Sequence, residues 1–331
     1  MRKTISILLF VALFSQTLAQ LPKVKRIEEN TSAESKFGEV EARIIINYLV
    51  SKNAQEDKMT SISIVRMLND VLLDNTLTMG EIYWANLDKE IKQKWESDDF
   101  EPNIIKSPDI TVNSTKNLKK YAKTFSENLL AVLKPDYLSS IDYVDKMTKE
   151  EIELLPSQIK YWSNIITIEP LSAGEEYYCY MLSTEEFTGG IHGMYSYRPY
   201  VIRKSNGEVI KDIFKEENET GLKTLIWKYL YEDDPEHAKA VAENLKIDST
   251  FLKHIRNVHS SPKTSYDELD KADLNGLDRI SIGKGWIDSK SVHIQYQPYQ
   301  LGSWAMGATE VVIPLKEIMP YLTDEIMALL K

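Results

Sequence analysis

The sequence contains a single cysteine, Cys179, among its 331 residues. One thiol forms neither an intramolecular disulfide nor a multi-cysteine zinc site, so the fold depends on its core alone. Cys179 lies in the apolar run Tyr177–Met181. That setting predicts a buried, unreactive thiol rather than a catalytic one.

The sequence has no excess of basic residues. Its 40 Lys and Arg residues are outnumbered by 50 Asp and Glu residues, which gives a formal net charge of -10. An acidic chain is repelled by nucleic acid phosphates and by anionic membrane surfaces, so neither is expected as a partner. The charge balance is compatible with a basic protein partner, and it also favours solubility.

Long apolar runs are missing after the N-terminus, and none approaches the roughly 20 residues of a membrane-spanning helix. The N-terminus has the three parts of a secretory signal: Arg2 and Lys3, the apolar run Ile5–Phe14, and the small-residue cleavage site Thr17–Ala19. The apolar run is short, which favours cleavage over a retained anchor, and no cysteine offers a lipid attachment point. We predict a signal peptide over residues 1–20 and a periplasmic or secreted mature protein.

Signatures of common enzymes are also missing. The sequence has no Gly-x-Ser-x-Gly nucleophile motif, no phosphate-binding loop or dinucleotide fingerprint, and no His-Glu-x-x-His zinc motif. His237 follows acidic residues at a predicted helix start, which we interpret as a helix cap. His293 alternates with Val292 and Ile294, so it is predicted to face the opposite side of a strand. We expect neither a metal nor a cofactor.

Hydrophobic periodicity separates a helical first part from a strand-rich second part. Residues 21–36 are polar and predict a linker or a ragged strand, and Val40–Val50 fits either a strand or a helix. Helices are predicted over 61–73, 79–95, 118–132 (ending before Pro135), 219–231, 235–254 and from 315. Strands are predicted over 159–168, 176–183, 195–204, 209–210, 279–287, 292–296 and 309–313, with a hairpin connection at Pro170–Gly174. The order predicts an α+β fold, with a mixed or antiparallel sheet packed with helices, in two subdomains over residues 21–156 and 157–331.

The first candidate segment is Thr188–Tyr195, where three of the 13 glycines surround His192 within five residues. Such a density of glycine permits positive φ angles or a close approach of backbone. A histidine held there can act as an acid–base group, a metal ligand or a hydrogen-bonding strut. A tight crossover between two strands explains the same pattern without a binding role.

The second candidate segment is Tyr296–Gly307, which leads into a strand ending at Pro314. Aromatic side chains on a loop form contact surfaces for carbohydrate or protein, or they plug the end of a sheet. The candidate ligand-binding residues of the two segments are His192, Tyr195, Tyr299 and Trp304. The candidate structural residues of the motif are Gly189, Gly190, Gly193, Gly207, Gly307 and Pro314.

Together with the turn Ser205–Phe214, these segments resemble the RsiV-type extracellular domain. That domain is the ectodomain of an anti-sigma factor that senses lysozyme; it is also found beside peptidoglycan deacetylases and in stand-alone exported proteins of Bacteroidetes-like bacteria. The resemblance covers residues 157–322. This sequence departs from the family pattern with Ile191 in place of alanine, Gln300–Ser303 in place of Glu-Ile-Ala-Pro, and Trp304 where tyrosine is usual. The matching residues are Gly189, Gly190, His192, Gly193, Gly207, Asp212, Phe214, Tyr299, Trp304, Ala305, Gly307, Ile313 and Pro314.

The resemblance implies an exported, non-enzymatic binding protein of the cell envelope. Its ligand would be an extracellular protein such as lysozyme, as for the sensor, or a cell-wall glycan, as for the deacetylases. The competing hypothesis is a hydrolase of cell-wall polysaccharide that uses His192 and an unidentified carboxylate. The sequence favours binding over catalysis but leaves both open, together with a third possibility, a purely structural envelope protein.

Overall fold

The computed structural model describes residues 23–35, 37–50, 53–74, 105–154, 160–188, 193–244, 281–298, 300–301 and 307–331. The predicted signal peptide and the predicted helix over 79–95 lie outside these residues. The strands are β1 (Val24–Glu34), β2 (Glu39–Leu49), β3 (Tyr161–Ala173), β4 (Tyr177–Phe187), β5 (Met194–Arg203), β6 (Val209–Ile210), β7 (Lys284–Ile287), β8 (Ser291–Tyr296) and β9 (Thr309–Pro314). The α-helices are α1 (Ala54–Asp74), α2 (Thr115–Ser140), α3 (Lys149–Glu153), α4 (Glu219–Asp233), α5 (Pro235–Asn244), α6 (Leu315–Ile318) and α7 (Asp324–Leu329).

The strands form two sheets. The larger sheet has the order β1-β2-β3-β4-β5-β6, with β1 antiparallel to β2 and β2 parallel to β3. The smaller sheet, β7-β8-β9, is antiparallel throughout. Helices and mixed sheet in this arrangement confirm the predicted α+β class. Among the described residues, no helix combines the length and apolar character needed to cross a bilayer.

The chain divides into two compact units. We call the first the N-terminal unit; its described residues come from Pro22–Ile168 and Thr184–Met194. The second, the C-terminal unit, takes its described residues from Glu169–Ser183 and Tyr195–Lys331. Strands β3 and β4 therefore contribute residues to both units.

The core of the N-terminal unit forms where α2 packs on β1 and β2. Along β2, Val40, Ala42, Ile44 and Ile46 are fully buried. The residues between Ala42 and Tyr48 that alternate with them are partly exposed, which is the period of a strand with one face on the core. The sequence pattern of this segment fits either a strand or a helix. The structure shows a strand, which is hydrogen-bonded to β1 on one side and to β3 on the other.

Helix α2 continues past Pro135, so the prediction that it ends before this residue is wrong. Proline removes one N–H donor from the helix, but the turns after it are anchored by Tyr137, which is 1% exposed. The Tyr137 hydroxyl lies 3.1 Å from Ser35 Oγ and donates to the Lys160 carbonyl at 3.3 Å. Its ring packs edge-on against Trp162, with 5.6 Å between centroids.

Strand β3 also runs through its proline, Pro170, so the predicted hairpin connection is displaced. The turn begins at Gly174, whose N–H donates to the Tyr177 carbonyl at 3.1 Å. The strand extends because Leu171 and Ser172 are buried, and the Ser172 hydroxyl donates to the Ile287 carbonyl. Burial of these residues outweighs the ladder hydrogen bond that Pro170 cannot form.

The C-terminal unit has its own core, in which α4 and α5 pack with β7, β8 and β9. Trp227, Ile294 and Ile313 are essentially fully buried there. Cys179 is fully buried in the same core, and its thiol donates to the Ile287 carbonyl at 3.4 Å. Burial raises the pKa of Cys179 to about 12. The prediction of a buried thiol is confirmed.

Candidate functional site

Most of the predicted ligand-binding residues fall outside the described residues, namely His192, Tyr299 and Trp304, and so do Gly189 and Gly190. Their roles stay predictions.

The remaining predicted residues have defined places. Tyr195 is the second residue of β5, two positions after the buried Gly193. Gly207 and Gly307 have φ angles of +66° and +75°, a backbone conformation that favours glycine. Gly207 makes the predicted turn into β6, and Pro314 ends β9 and occupies the N-cap position of α6.

A glutamine links the described flanks of the two candidate segments. Gln297, in the aromatic segment, accepts a hydrogen bond from the Tyr197 N–H at 2.6 Å and donates to the Tyr197 carbonyl. Gln300 braces it by accepting from the Gln297 N–H at 2.6 Å. The side chain of Gln297 thus pairs with β5 as a neighbouring strand would, five residues after His192. Nothing in the local pattern singled out this residue.

A cavity of about 470 Å³ lies in the C-terminal unit, between the α4–α5 junction and β9. We call it the acidic pocket, because four of its side chains are carboxylates and none is Lys or Arg. Its helical wall consists of Tyr229, Leu230, Glu232, Asp233, Asp234 and His237. Its strand wall consists of Ala308, Thr309, Glu310, Val311 and Val312.

The helix junction places the acids at the pocket. Asp234 ends α4 and caps α5: its Oδ1 accepts the N–H groups of Glu236 at 3.1 Å and His237 at 2.9 Å. Pro235 occupies the first helical position, where its missing N–H costs no hydrogen bond. The predicted helix cap is confirmed, with Asp234 as the capping side chain. His237 Nε2 lies 2.9 Å from Thr309 Oγ1 and connects α5 to β9.

Behind the strand wall, His293 is held between two carboxylates, an arrangement we call the histidine clamp. Its Nδ1 lies 2.8 Å from Glu310 Oε1, and its Nε2 lies 3.0 Å from Asp288 Oδ2. The ring stacks on Trp286, with 3.7 Å between centroids and 10° between planes. Both contacts are hydrogen bonds only when both ring nitrogens carry protons, which describes an imidazolium cation.

The pKa values of the clamp follow from this geometry. Burial alone would lower the pKa of His293, but the hydrogen bonds and negative charges of Asp288 and Glu310 outweigh burial and raise it. For Asp288, burial would raise the pKa, but the hydrogen bonds from His293 and from the backbone of Lys290 and Ser291 lower it. Since both nitrogens of His293 are engaged, the ring positions Glu310 at the pocket and has no free nitrogen for a ligand.

Sequence reasoning found part of this site. Val292 and Ile294 are fully buried in the core while His293 faces the clamp, so its predicted orientation is confirmed. The pocket acids were missed, because Glu232, Asp233 and Glu310 carry no motif. Among the described residues, no group of three or more His, Cys, Asp and Glu side chains is arranged to hold a metal ion. What the pocket offers is negative charge, which suits a cationic ligand.

Part of the chain matches one family model. A family model described as "Protein of unknown function (DUF3298)" matches residues 211–316, a range that includes every residue lining the acidic pocket. No curated protein matches the chain.

Two crystal structures are similar to this chain. A DUF3298 family member from Bacteroides fragilis has a TM-score of 0.50 at 15% identity, covering 93% of this chain and 97% of that one. A DUF3298 family protein from Pseudomonas aeruginosa has a TM-score of 0.42 at 13% identity, with the same coverages. At 15% identity, the likeness to the first concerns the fold alone. The chain therefore carries, over residues 211–316, a segment that matches the DUF3298 family of unknown function.

Proposed function

We propose that this chain is an exported, non-enzymatic binding protein of the cell envelope that captures a basic extracellular protein through its acidic pocket. The carrying observation is the lining of that pocket, which has four carboxylates and neither Lys nor Arg. A lysine ammonium or an arginine guanidinium of a partner would pair with the exposed carboxylates of Glu232 and Asp233.

The charge of the whole chain acts in the same direction. Its formal net charge of -10 attracts a basic protein and speeds the encounter. The exposed side chains of Glu232 and Asp233 stand at the pocket, where a partner reaches them without rearrangement of the core.

Resemblance to the RsiV-type ectodomain supports a protein ligand such as lysozyme, while the deacetylase relatives support a cell-wall glycan. The pocket favours the protein, because an N-acetylated glycan carries no cation to match the carboxylates. The competing hypothesis of a hydrolase stays a prediction, since His192 lies outside the described residues. A hydrolase would cleave cell-wall polysaccharide, and the His192→Ala variant would lose that activity.

The test is a binding assay on the mature chain from Leu21 onwards. It compares lysozyme, an acidic protein of similar size and insoluble cell-wall glycan, each in low salt and in about 1 M salt. We expect lysozyme alone to bind, with an affinity that falls steeply in high salt because the Debye length shrinks to about 3 Å. Binding to the glycan alone, or binding to both proteins alike, would contradict the proposal.

A further inference from the structure

Strand β9 forms both a wall of the acidic pocket and an edge of its sheet. It is the last strand in the order β7-β8-β9, and no strand of the described chain pairs with its outer edge. An unpaired edge presents backbone N–H and C=O groups to whatever lies beside it.

The hydrogen-bond pattern shows which groups point outward. The Leu315 N–H donates to the Lys290 carbonyl at 2.8 Å, directly beyond the Ser291↔Pro314 pair of the β8–β9 register. Leu315 and Lys290 are therefore a hydrogen-bonded pair. Such pairs alternate with non-hydrogen-bonded pairs along an antiparallel ladder. In this register Val312 pairs with His293 and Glu310 pairs with Gln295, and both pairs are non-hydrogen-bonded. The backbone N–H and C=O groups of Val312 and Glu310 therefore point to the free edge.

The β7–β8 ladder agrees with this assignment. The Asp288 N–H donates to the Ser291 carbonyl at 2.9 Å, which marks that pair as hydrogen-bonded. By alternation, His293 then directs its backbone groups to Trp286 in β7. It cannot also direct them to Val312 in β9.

The two residues with outward backbone groups also line the acidic pocket. Val312 is 43% exposed and is one of the few large apolar side chains on the described surface. Glu310 brings a carboxylate to the same edge, and Glu232 and Asp233 face it across the pocket. The edge thus combines two backbone pairing sites, an apolar contact and, at the same pocket, the exposed carboxylates of Glu232 and Asp233.

We propose that an extended basic segment of the partner protein adds to β9 as a fourth strand and places a lysine or arginine side chain in the acidic pocket. This inference rests on the proposed function and assigns its binding mode. Main-chain hydrogen bonds to Glu310 and Val312 supply affinity in strand addition, and the pocket beside them selects the side chain. The charge pattern selects against acidic segments.

The experiment uses the mature chain and a blocked six-residue peptide of alternating Lys and Val. Binding is measured by fluorescence anisotropy for the wild type, Val312→Pro and Val312→Thr. Proline removes only an outward N–H, so it spares the β8–β9 ladder and suits an edge strand; threonine keeps the N–H. We expect Val312→Pro to bind at least about tenfold more weakly than Val312→Thr, which should stay within about threefold of the wild type.

A second arm changes the ligand instead of the protein, in case Val312→Pro does not fold. The same peptide methylated on every backbone nitrogen keeps its charge but cannot pair, so wild-type protein should bind it at least about tenfold more weakly. Equal binding of both peptides would overturn strand addition and leave a charge-driven function standing. If lysozyme binds and neither peptide does, strand addition is likewise overturned and the charge-driven function still stands. If neither lysozyme nor the peptide binds, the proposed function falls as well.

Discussion

Replacing His293 with phenylalanine is expected to lower the free energy of unfolding by about 2–3 kcal/mol at about pH 5.5. Phenylalanine keeps a ring stacked on Trp286 but removes the charge and both donors, so Asp288 and Glu310 lose the cation that lies between them. Breaking a fully buried pair costs about 3–5 kcal/mol. The side chains of His293, Asp288 and Glu310 are 13%, 26% and 32% exposed, so solvent reduces the cost. Chemical denaturation of the wild type and of the His293→Phe variant measures the difference in the free energy of unfolding.

The pH dependence of that difference identifies its cause. Because the pKa of His293 is raised in the folded protein, its stabilisation is full below its unfolded pKa of about 6.5 and is lost as pH rises through the folded value. Because the pKa of Asp288 is lowered, its stabilisation is full above about 3.9 and is lost as pH falls through the folded value. The gap between wild type and variant should be widest between about pH 4 and 6.5. A gap of the same size at about pH 9 would indicate lost packing rather than lost charge.

Neutralising the pocket with the double substitution Glu232→Gln and Asp233→Asn should weaken lysozyme binding on the order of tenfold in low salt. Both side chains are exposed, so the fold should be unaffected. Asp234 and Glu310 are left in place because the first caps α5 and the second holds His293. Isothermal titration calorimetry gives the affinity, and the thermal midpoint checks the fold.

The matched control also removes two negative charges, but at a different place on the C-terminal unit. Glu216 and Glu217 are exposed and do not line the pocket. Their conversion to glutamine should change the affinity by less than about twofold, because salt screens distant surface charges. If the control weakens binding as much as the pocket variant does, overall charge rather than the pocket attracts the partner.

Much of the fold follows from sequence periodicity, and the errors have a common cause. The stripe of Leu118, Tyr121 and Phe125 predicts α2, and the alternation of His293 with Val292 and Ile294 predicts β8. The predictions that α2 ends before Pro135 and that β3 ends before Pro170 were wrong. They considered only the cost of the hydrogen bond that proline removes from the local backbone. Tertiary anchors override that cost: Tyr137 holds the end of α2, and burial of Leu171 extends β3.

The candidate site was harder to predict, because its parts are distant along the chain. Alternation with apolar neighbours placed His293 on the correct face, but its partner Glu310 lies 17 residues away. Glu232 and Asp233 carry no motif, and they line a pocket only because β9 lies beside the helix junction. Gln297 links the flanks of the glycine-rich and aromatic segments through backbone groups of Tyr197, which no side-chain pattern reveals.

Amide hydrogen exchange of the mature chain, with and without saturating lysozyme, tests the central claim most directly. Capture at the acidic pocket with strand addition predicts slower exchange at Glu310 and Val312, whose N–H groups point to the free edge, and across residues 229–237. Protection confined to α1 and α2, or no protection at the outer edge of β9, would contradict the account.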